Sequence, residues 1–510
     1  MLYPRESEYR ELKDLSGVWE FKIDKTGQGM SDQWFEKKLS DTIMMPVPSS
    51  YNDITQDVEV RDHIGDVWYE RTFFVPAQWI GSRIVIRVGS ATHHAVLWIN
   101  GSEVARHKGG YLPFEADISG LVKCGRENRI TMKVGNILDW TTLPPGEVTT
   151  LTDGFHPEEY KVQKYFHDFY NYAGIHRPVI IYSTPKLYIR DISVRTDIAG
   201  TSGIIHYSVD IVGNAQSVRV RISDDRTFLE QDGETGSVTI PHARFWEPGN
   251  AHLYEFYAEL VDSDGRIIDC YRLPIGIRTV KVVGNQFLIN DKPFYFKGFG
   301  KHEDSDIAGK GLSHVFNIKD FNLLKWIGAN SFRTSHYPYA EEIYDMADRE
   351  GIVIIDEAPA TGLNLWDKKE KVFCDERAGS ALLFHHKDVI REMIDRDKNH
   401  PCVVMWSIAN EANTYEEGAY PYFESIVKDI RALDPTRPVT IVQSSHPSEC
   451  RVAQLCDVIC VNRYYSWYVD PGHLELVEFQ VEKELTLWNE RFHQPVIMSE
   501  YGADAIAGFH

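Results

Sequence analysis

From residue 285 onward, short apolar runs alternate with amphipathic helical stretches, and no other feature constrains the fold of this chain as tightly. Strand patterns stand at 294–300, 330–335, 352–357, 403–411, 439–442, 458–462 and 495–500. Helical periodicity stands at 318–328, 340–350, 389–397, 423–433 and 474–491. The runs are apolar on both faces, which suits parallel strands covered by helices on each side and does not suit one-sided antiparallel strands. Such alternation predicts a (β/α)₈ TIM barrel over residues 281–510. Seven strands can be counted before the sequence stops at His510, so the barrel is expected to be truncated at its C-terminus and to lack its last strand. The two edges left unpaired would flank the mouth of the barrel.

The earlier residues follow a different pattern. Residues 1–184 hold short alternating runs broken by turn residues, as at 67–75, 83–88 and 95–101, and predict a β jelly-roll sandwich. After a linker at Ser183, Thr184 and Pro185 the β pattern repeats on a smaller scale over 185–280, the size of an immunoglobulin-like sandwich. The fold class is therefore multidomain α+β, with two β-sandwiches leading into a barrel.

Composition narrows the function. The formal net charge is −21, which argues against nucleic acid and against anionic membrane surfaces. An anionic substrate would need a local cationic clamp against this field. Seven cysteines fit reduced thiols, and the group Cys450, Cys456 and Cys460 has no zinc spacing. The polar start of the chain, without an apolar leader or a membrane-spanning run, reads as a cytoplasmic protein.

The chemistry is carried by two glutamates. Glu411 closes the run 403–411 and Glu500 closes the run 495–500. Carboxyl ends of barrel strands are where such folds keep their reactive groups. Two carboxylates converging from different strands are what glycoside hydrolysis requires, about 5–5.5 Å apart when the configuration is retained. Asn410 precedes Glu411 and is placed to hold a sugar hydroxyl, and Tyr464, one strand before Glu500, is placed to orient the nucleophile. The other strand ends are also polar: His302 and Glu303, Arg333 and His336, Asp356 and Glu357, Asn462 and Arg463. The histidines read as hydrogen-bonding groups, since their spacing supports no metal. The pair Asp356 and Glu357 reads as structural, holding Arg333 or another cation under the site.

Several longer motifs carry a resemblance. They are residues 165–177, 297–304, 333–339, 399–401, 406–411, 462–465 and 499–502, and through them the chain closely resembles glycoside hydrolase family 2, within it the β-glucuronidase branch, over essentially its whole length. The resemblance implies hydrolysis of β-D-glucuronides through a covalent intermediate, with Glu411 as acid/base, Glu500 as nucleophile and Tyr464 beside it. It implies substrate contacts by Asn410, Asn462 and His336, by Tyr468 near the sugar carboxylate, and by Asp168 reaching in from the sandwich domain to the distal hydroxyls. It implies no organic cofactor and no catalytic metal, and a homo-oligomer, commonly a tetramer. The expected substrates are small glucuronide conjugates or glucuronate-terminated glycans.

Two departures qualify the resemblance. The family's Asn-x-Lys motif for the glucuronate carboxylate is not found after Glu500, which leaves Arg333 and Arg463 as fallback cations. The stretch 361–380 is shorter than the loop some bacterial relatives carry over the site, which would leave the aglycone side open. The alternatives are another family 2 exo-glycosidase, a β-galactosidase or β-mannosidase, or a non-catalytic carbohydrate-binding protein if the truncation is real.

Overall fold

The computed structural model describes residues 1–213 and 217–503. Three large hydrophobic cores organise them, and a small fourth cluster gathers Leu39, Trp68, Val96 and Trp98. The first lies between a four-stranded sheet (Glu11–Asp14, Val179–Thr184, Arg83–Val88, Phe114–Asp117) and a six-stranded one running from Ile43–Val47 to Ser102–Lys108. Trp19, Phe21, Tyr69, Ile86, Leu97 and Met132 fill the space between them. The second core, around Ile192, Ile205, Val220 and Phe256, lies between a three- and a four-stranded sheet. In Ser202–Val212, Gly203, Ile205, Tyr207 and Val209 are buried at every second position, the period of a half-buried strand.

The third core belongs to a near-closed barrel of seven parallel strands in sequential order. Numbered within the barrel, these are β1 (Gly298–Lys301), β2 (Ser331–Thr334), β3 (Val353–Glu357), β4 (Val403–Asn410), β5 (Val439–Gln443), β6 (Ile459–Asn462) and β7 (Val496–Glu500). The helices are α1 (His314–Trp326), α2 (Glu341–Glu350), α3 (Ser380–Asp397), α4 (Ala419–Leu433) and α5 (Val477–Phe492). Each predicted strand and helix of this region is present, with ends shifted by a few residues and α3 extended at its start to Ser380. Gly351 ends α2 in a left-handed conformation, φ 69°, and a Cβ there would sit 2.6 Å from the backbone nitrogen of Gly249.

All eight residues of β4 are buried, because β3 and β5 pair on its two edges and helices cover its outer side. Among the described residues β7 pairs with β6, and its five residues are half-buried. Among the same residues β1 and β7 are the outermost strands of the sheet. A cavity of about 1090 Å³ lies between them and continues up to Arg333, His336, Tyr464, Glu500 and Asp168.

The first sandwich is clamped to the barrel by buried ions. Arg87 reaches Glu341 at 2.7 Å, and Arg177 bonds the Pro338 carbonyl at 2.6 Å and Glu303 at 3.3 Å. Phe169 packs its ring against His302 and Tyr337. Lys310, buried among Phe169, Tyr337 and Asp304, fastens the same junction. This clamp presents Asp168 to the barrel rim.

Candidate active site

The carboxyl ends of β2, β3, β4, β6 and β7 converge on one polar cluster. Glu500 ends β7 in register with Asn462 of β6, and Tyr464, two residues past Asn462, donates its phenol to Glu500 Oε2 at 2.5 Å. Arg333 of β2 donates Nη2 to Glu500 Oε1. Asn462 donates Nδ2 to Glu411 Oε1 at 2.8 Å and to Asn410 Oδ1 at 3.2 Å. Arg333 Nη1 also approaches Asn410 Oδ1 at 3.3 Å. A continuous chain of hydrogen bonds therefore joins Glu411 to Glu500 through Asn462, Asn410 and Arg333.

Glu411 has φ +53°, in the left-handed region that side-chain-bearing residues seldom adopt. Its N–H is held by the Val442 carbonyl at 3.0 Å. Strain of this kind persists only where surrounding contacts over-determine it. Here it turns the side chain off the sealed end of β4 and into the cluster.

The two carboxyls ionise differently. Burial first, then the charge of Glu500, pushes Glu411 up to about 7. Burial also works against the charge of Glu500, but Arg333, His336 and the Tyr464 phenol outweigh it and hold Glu500 below the usual carboxylate range. Near neutral pH one carboxyl keeps its proton and the other stays charged, which is the division of labour an acid and a nucleophile need.

The comparisons agree with this geometry. The family 2 TIM barrel domain of the glycosyl hydrolases matches residues 280–510, the family's sugar binding domain matches 12–185, and a further family 2 domain matches 187–278. The chain belongs to glycosyl hydrolase family 2. It is 58% identical over 512 residues to a β-glucuronidase of Paenibacillus borealis, covering 100% of this chain and 86% of that protein. It is 47% identical over 532 residues to a β-glucuronidase of Sus scrofa, covering 100% and 80%. The solved β-D-glucuronidase of Dictyoglomus thermophilum superposes with a TM-score of 0.95 at 54% identity, covering 100% of this chain and 86% of that one.

The other anticipated site residues of this family 2 hydrolase fall as follows. His336 is buried, with Nδ1 2.8 Å from Glu357 Oε1 and Nε2 3.8 Å from Glu500 Oε1. Asp168 stands exposed on the cavity wall, and its charge acts on both Glu411 and Tyr464. Tyr468 is exposed on the loop after β6, its ring edge-on to Tyr464 at 5.2 Å. The fallback cations are both committed elsewhere. Arg333 is shared between Glu357 and Glu500, and Arg463 pairs with Glu484 and bonds the Ser445 carbonyl at 2.7 Å.

Glu357 does hold Arg333, as its position at a strand end suggested, but Asp356 faces away toward Tyr344 and Thr334. The histidines do not assemble a metal site with their acidic neighbours. His302 meets Tyr337, and Glu303 caps the Ala340 N–H. Among the described residues, the one set of three ligand-type groups within reach of each other is Asp348, His400 and Cys402. It lies at the opposite end of β4, where Asp348 and His400 form an ion pair at 2.6 Å. The sequence reading missed two residues: Ser407, which donates to Glu357 at 2.7 Å, and Ser499, which lies 2.9 Å from Asn462 Oδ1. Ser407 is legible only through strand alternation, and Ser499 carried no signal beyond its place before Glu500.

Proposed function

We propose that this chain hydrolyses β-D-glucuronides to D-glucuronate and an alcohol by a retaining double displacement. Glu500 attacks the anomeric carbon while Glu411 gives its proton to the departing glycosidic oxygen. The C1–O bond to the aglycone breaks as the ester bond to Glu500 forms. Glu411, now ionised, takes a proton from water, whose oxygen attacks C1 and releases Glu500 as a carboxylate. Tyr464 and Arg333 hold the attacking oxygens in place, and Asn462 orients Glu411. The observation that carries this reading is a pair of hydrogen-bond-linked carboxyls at two strand ends, one kept protonated and the other kept charged.

Asn410, Asn462 and His336 face the sugar in this reading, Asp168 takes its distal hydroxyls and Tyr468 lies near its carboxylate. The substrates are small conjugates or glucuronate-terminated glycans. The two sandwich cores and the run of parallel strands from Gly298 onward support domain limits of 1–184, 185–280 and 281–510. Seven free thiols suit a reducing, cytoplasmic setting. A homotetramer follows from the family resemblance, and light scattering of the purified chain tests it.

The deciding assay compares p-nitrophenyl β-D-glucuronide with the β-D-galactoside and β-D-mannoside. Turnover of the glucuronide alone is expected. Preference for either neutral sugar reassigns the substrate, and binding without turnover reassigns the chain to a carbohydrate-binding role.

A further inference from the structure

Glu357 touches neither reacting carboxyl, yet four hydrogen bonds from three side chains converge on its carboxylate. Both of its oxygens accept from Arg333 Nη1, at 2.6 and 2.7 Å, and it also takes His336 Nδ1 at 2.8 Å and Ser407 Oγ at 2.7 Å. Its own N–H is held by Thr334 Oγ1 at 2.8 Å. It is fully buried, and Arg333 is only 2% exposed. One guanidinium thus stands between two carboxylates, Glu357 on Nη1 and Glu500 on Nη2.

The proposed reaction makes this arrangement consequential. When Glu500 becomes a sugar ester it loses its negative charge, and a buried guanidinium facing an ester alone would be left uncompensated, a costly state. When Glu500 returns as a carboxylate, an unshared guanidinium would grip it and blunt its attack. We propose that Glu357 is a positioning residue, the standing counter-ion of Arg333, which keeps that cation neutralised while Glu500 gives up and regains its charge. His336, fixed by the same carboxylate through Nδ1, leaves Nε2 directed at Glu500. The inference rests on Glu500 being the nucleophile.

The charged and titratable groups around this pair come from five strand ends. Arg333, His336 and Tyr339 lie on and after β2, Glu357 on β3, Glu411 after β4, Cys460 and Tyr464 on and after β6, and Glu500 on β7. Burial pushes the Cys460 thiol up to about 11 and raises Tyr339 well above its ordinary value, so neither supplies a charge near neutral pH.

The test measures kcat/KM against pH for Glu357→Gln and Glu357→Asp with p-nitrophenyl β-D-glucuronide. In Glu357→Gln, Arg333 binds Glu500 undivided, so the acid limb should move down by about one pH unit and kcat/KM should fall by about tenfold or more. Glu357→Asp keeps the charge on a shorter arm, so its limb should stay within a few tenths of wild type whatever its rate. A limb that stays or rises in Glu357→Gln, or that moves equally in both variants, overturns the inference. If Glu357→Gln does not fold by circular dichroism, Ser407→Ala is read instead. Removing that donor strengthens the hold of Glu357 on Arg333, so the limb should move upward, and no shift or a downward one overturns the inference. Mass mapping of wild type labelled with 2,4-dinitrophenyl 2-deoxy-2-fluoro-β-D-glucuronide separates the two readings. Label on a residue other than Glu500 defeats the nucleophile assignment, while label on Glu500 with an unmoved Glu357→Gln limb defeats only the counter-ion role.

Discussion

Glu411 and Glu500 end two strands of one sheet, yet their carboxyls are held by different means. β4 is sealed: it pairs on both edges, all its residues are buried, and Trp406 donates its indole N–H to Asp434 at 3.0 Å. The position of Glu411 is therefore set by backbone, through packing and a left-handed turn. The position of Glu500 is set by side chains, through Arg333 and Tyr464. The difference suits the chemistry, since an acid needs a dry surrounding to keep its proton and a nucleophile needs partners that keep it charged.

The strongest way to break the comparison is at Glu500. Glu500→Gln should lower kcat by on the order of 10⁴–10⁶-fold for every substrate, since the amide cannot form the ester. Steady-state assays check this, and residual turnover near wild type would reassign the nucleophile. Glu411→Gln should be selective instead, costing about 10²–10⁴-fold for alkyl glucuronides and far less for 2,4-dinitrophenyl glucuronide, whose leaving group needs no proton. Equal losses across leaving groups would show that Glu411 is not the acid.

The strand under Glu411 should answer at smaller scale. Ile408→Ala, in the sealed strand, should cost about 2–5 kcal/mol of stability by urea unfolding, because neighbours held on both sides cannot collapse into the space left. A cost under about 1 kcal/mol would show that β4 is not tightly packed around Ile408.

The pH profile of kcat/KM sharpens the electrostatic half. As the proposed acid, Glu411 works only while protonated, so activity should be present below about 7 and fall about tenfold per pH unit as pH rises through that value. Glu500, as the proposed nucleophile, works only while ionised and is held below the ordinary range, so the acid limb should lie below the usual glutamate value of about 4.3. The smallest effect is expected for Tyr464→Phe. Losing a hydrogen bond to a charged group, worth about 1.5–3 kcal/mol at most, should raise the acid limb by about one pH unit and leave the basic limb in place. An unmoved acid limb would remove the phenol from the support of Glu500.

Much of this was legible along the chain because parallel strands announce themselves. Short runs apolar on both faces that alternate with helical stretches read as covered strands, and the polar residue that ends each run reads as lying at the rim. That reasoning reaches Glu411, Asn410, Asn462 and Glu500 without coordinates. Tyr468 and Asp168 came from the family resemblance, because an exposed loop tyrosine and an aspartate of another domain have no periodic signal. Arg463 shows the limit of composition. It is a cation near the site by sequence, but Glu484, twenty-one residues later on α5, takes its guanidinium, and nothing local foretells that pairing.

The sequence alone determined the order of layers, the strands of the barrel and which residues stand at its rim, because periodicity and burial are local properties that each segment carries with it. Only the tertiary structure decided how burial and neighbouring charges drive the two carboxyls apart, and that Glu357 and Glu500 divide one guanidinium. Those properties depend on distances between charges far apart in the chain and on the water excluded around them, and no stretch of residues encodes either by itself.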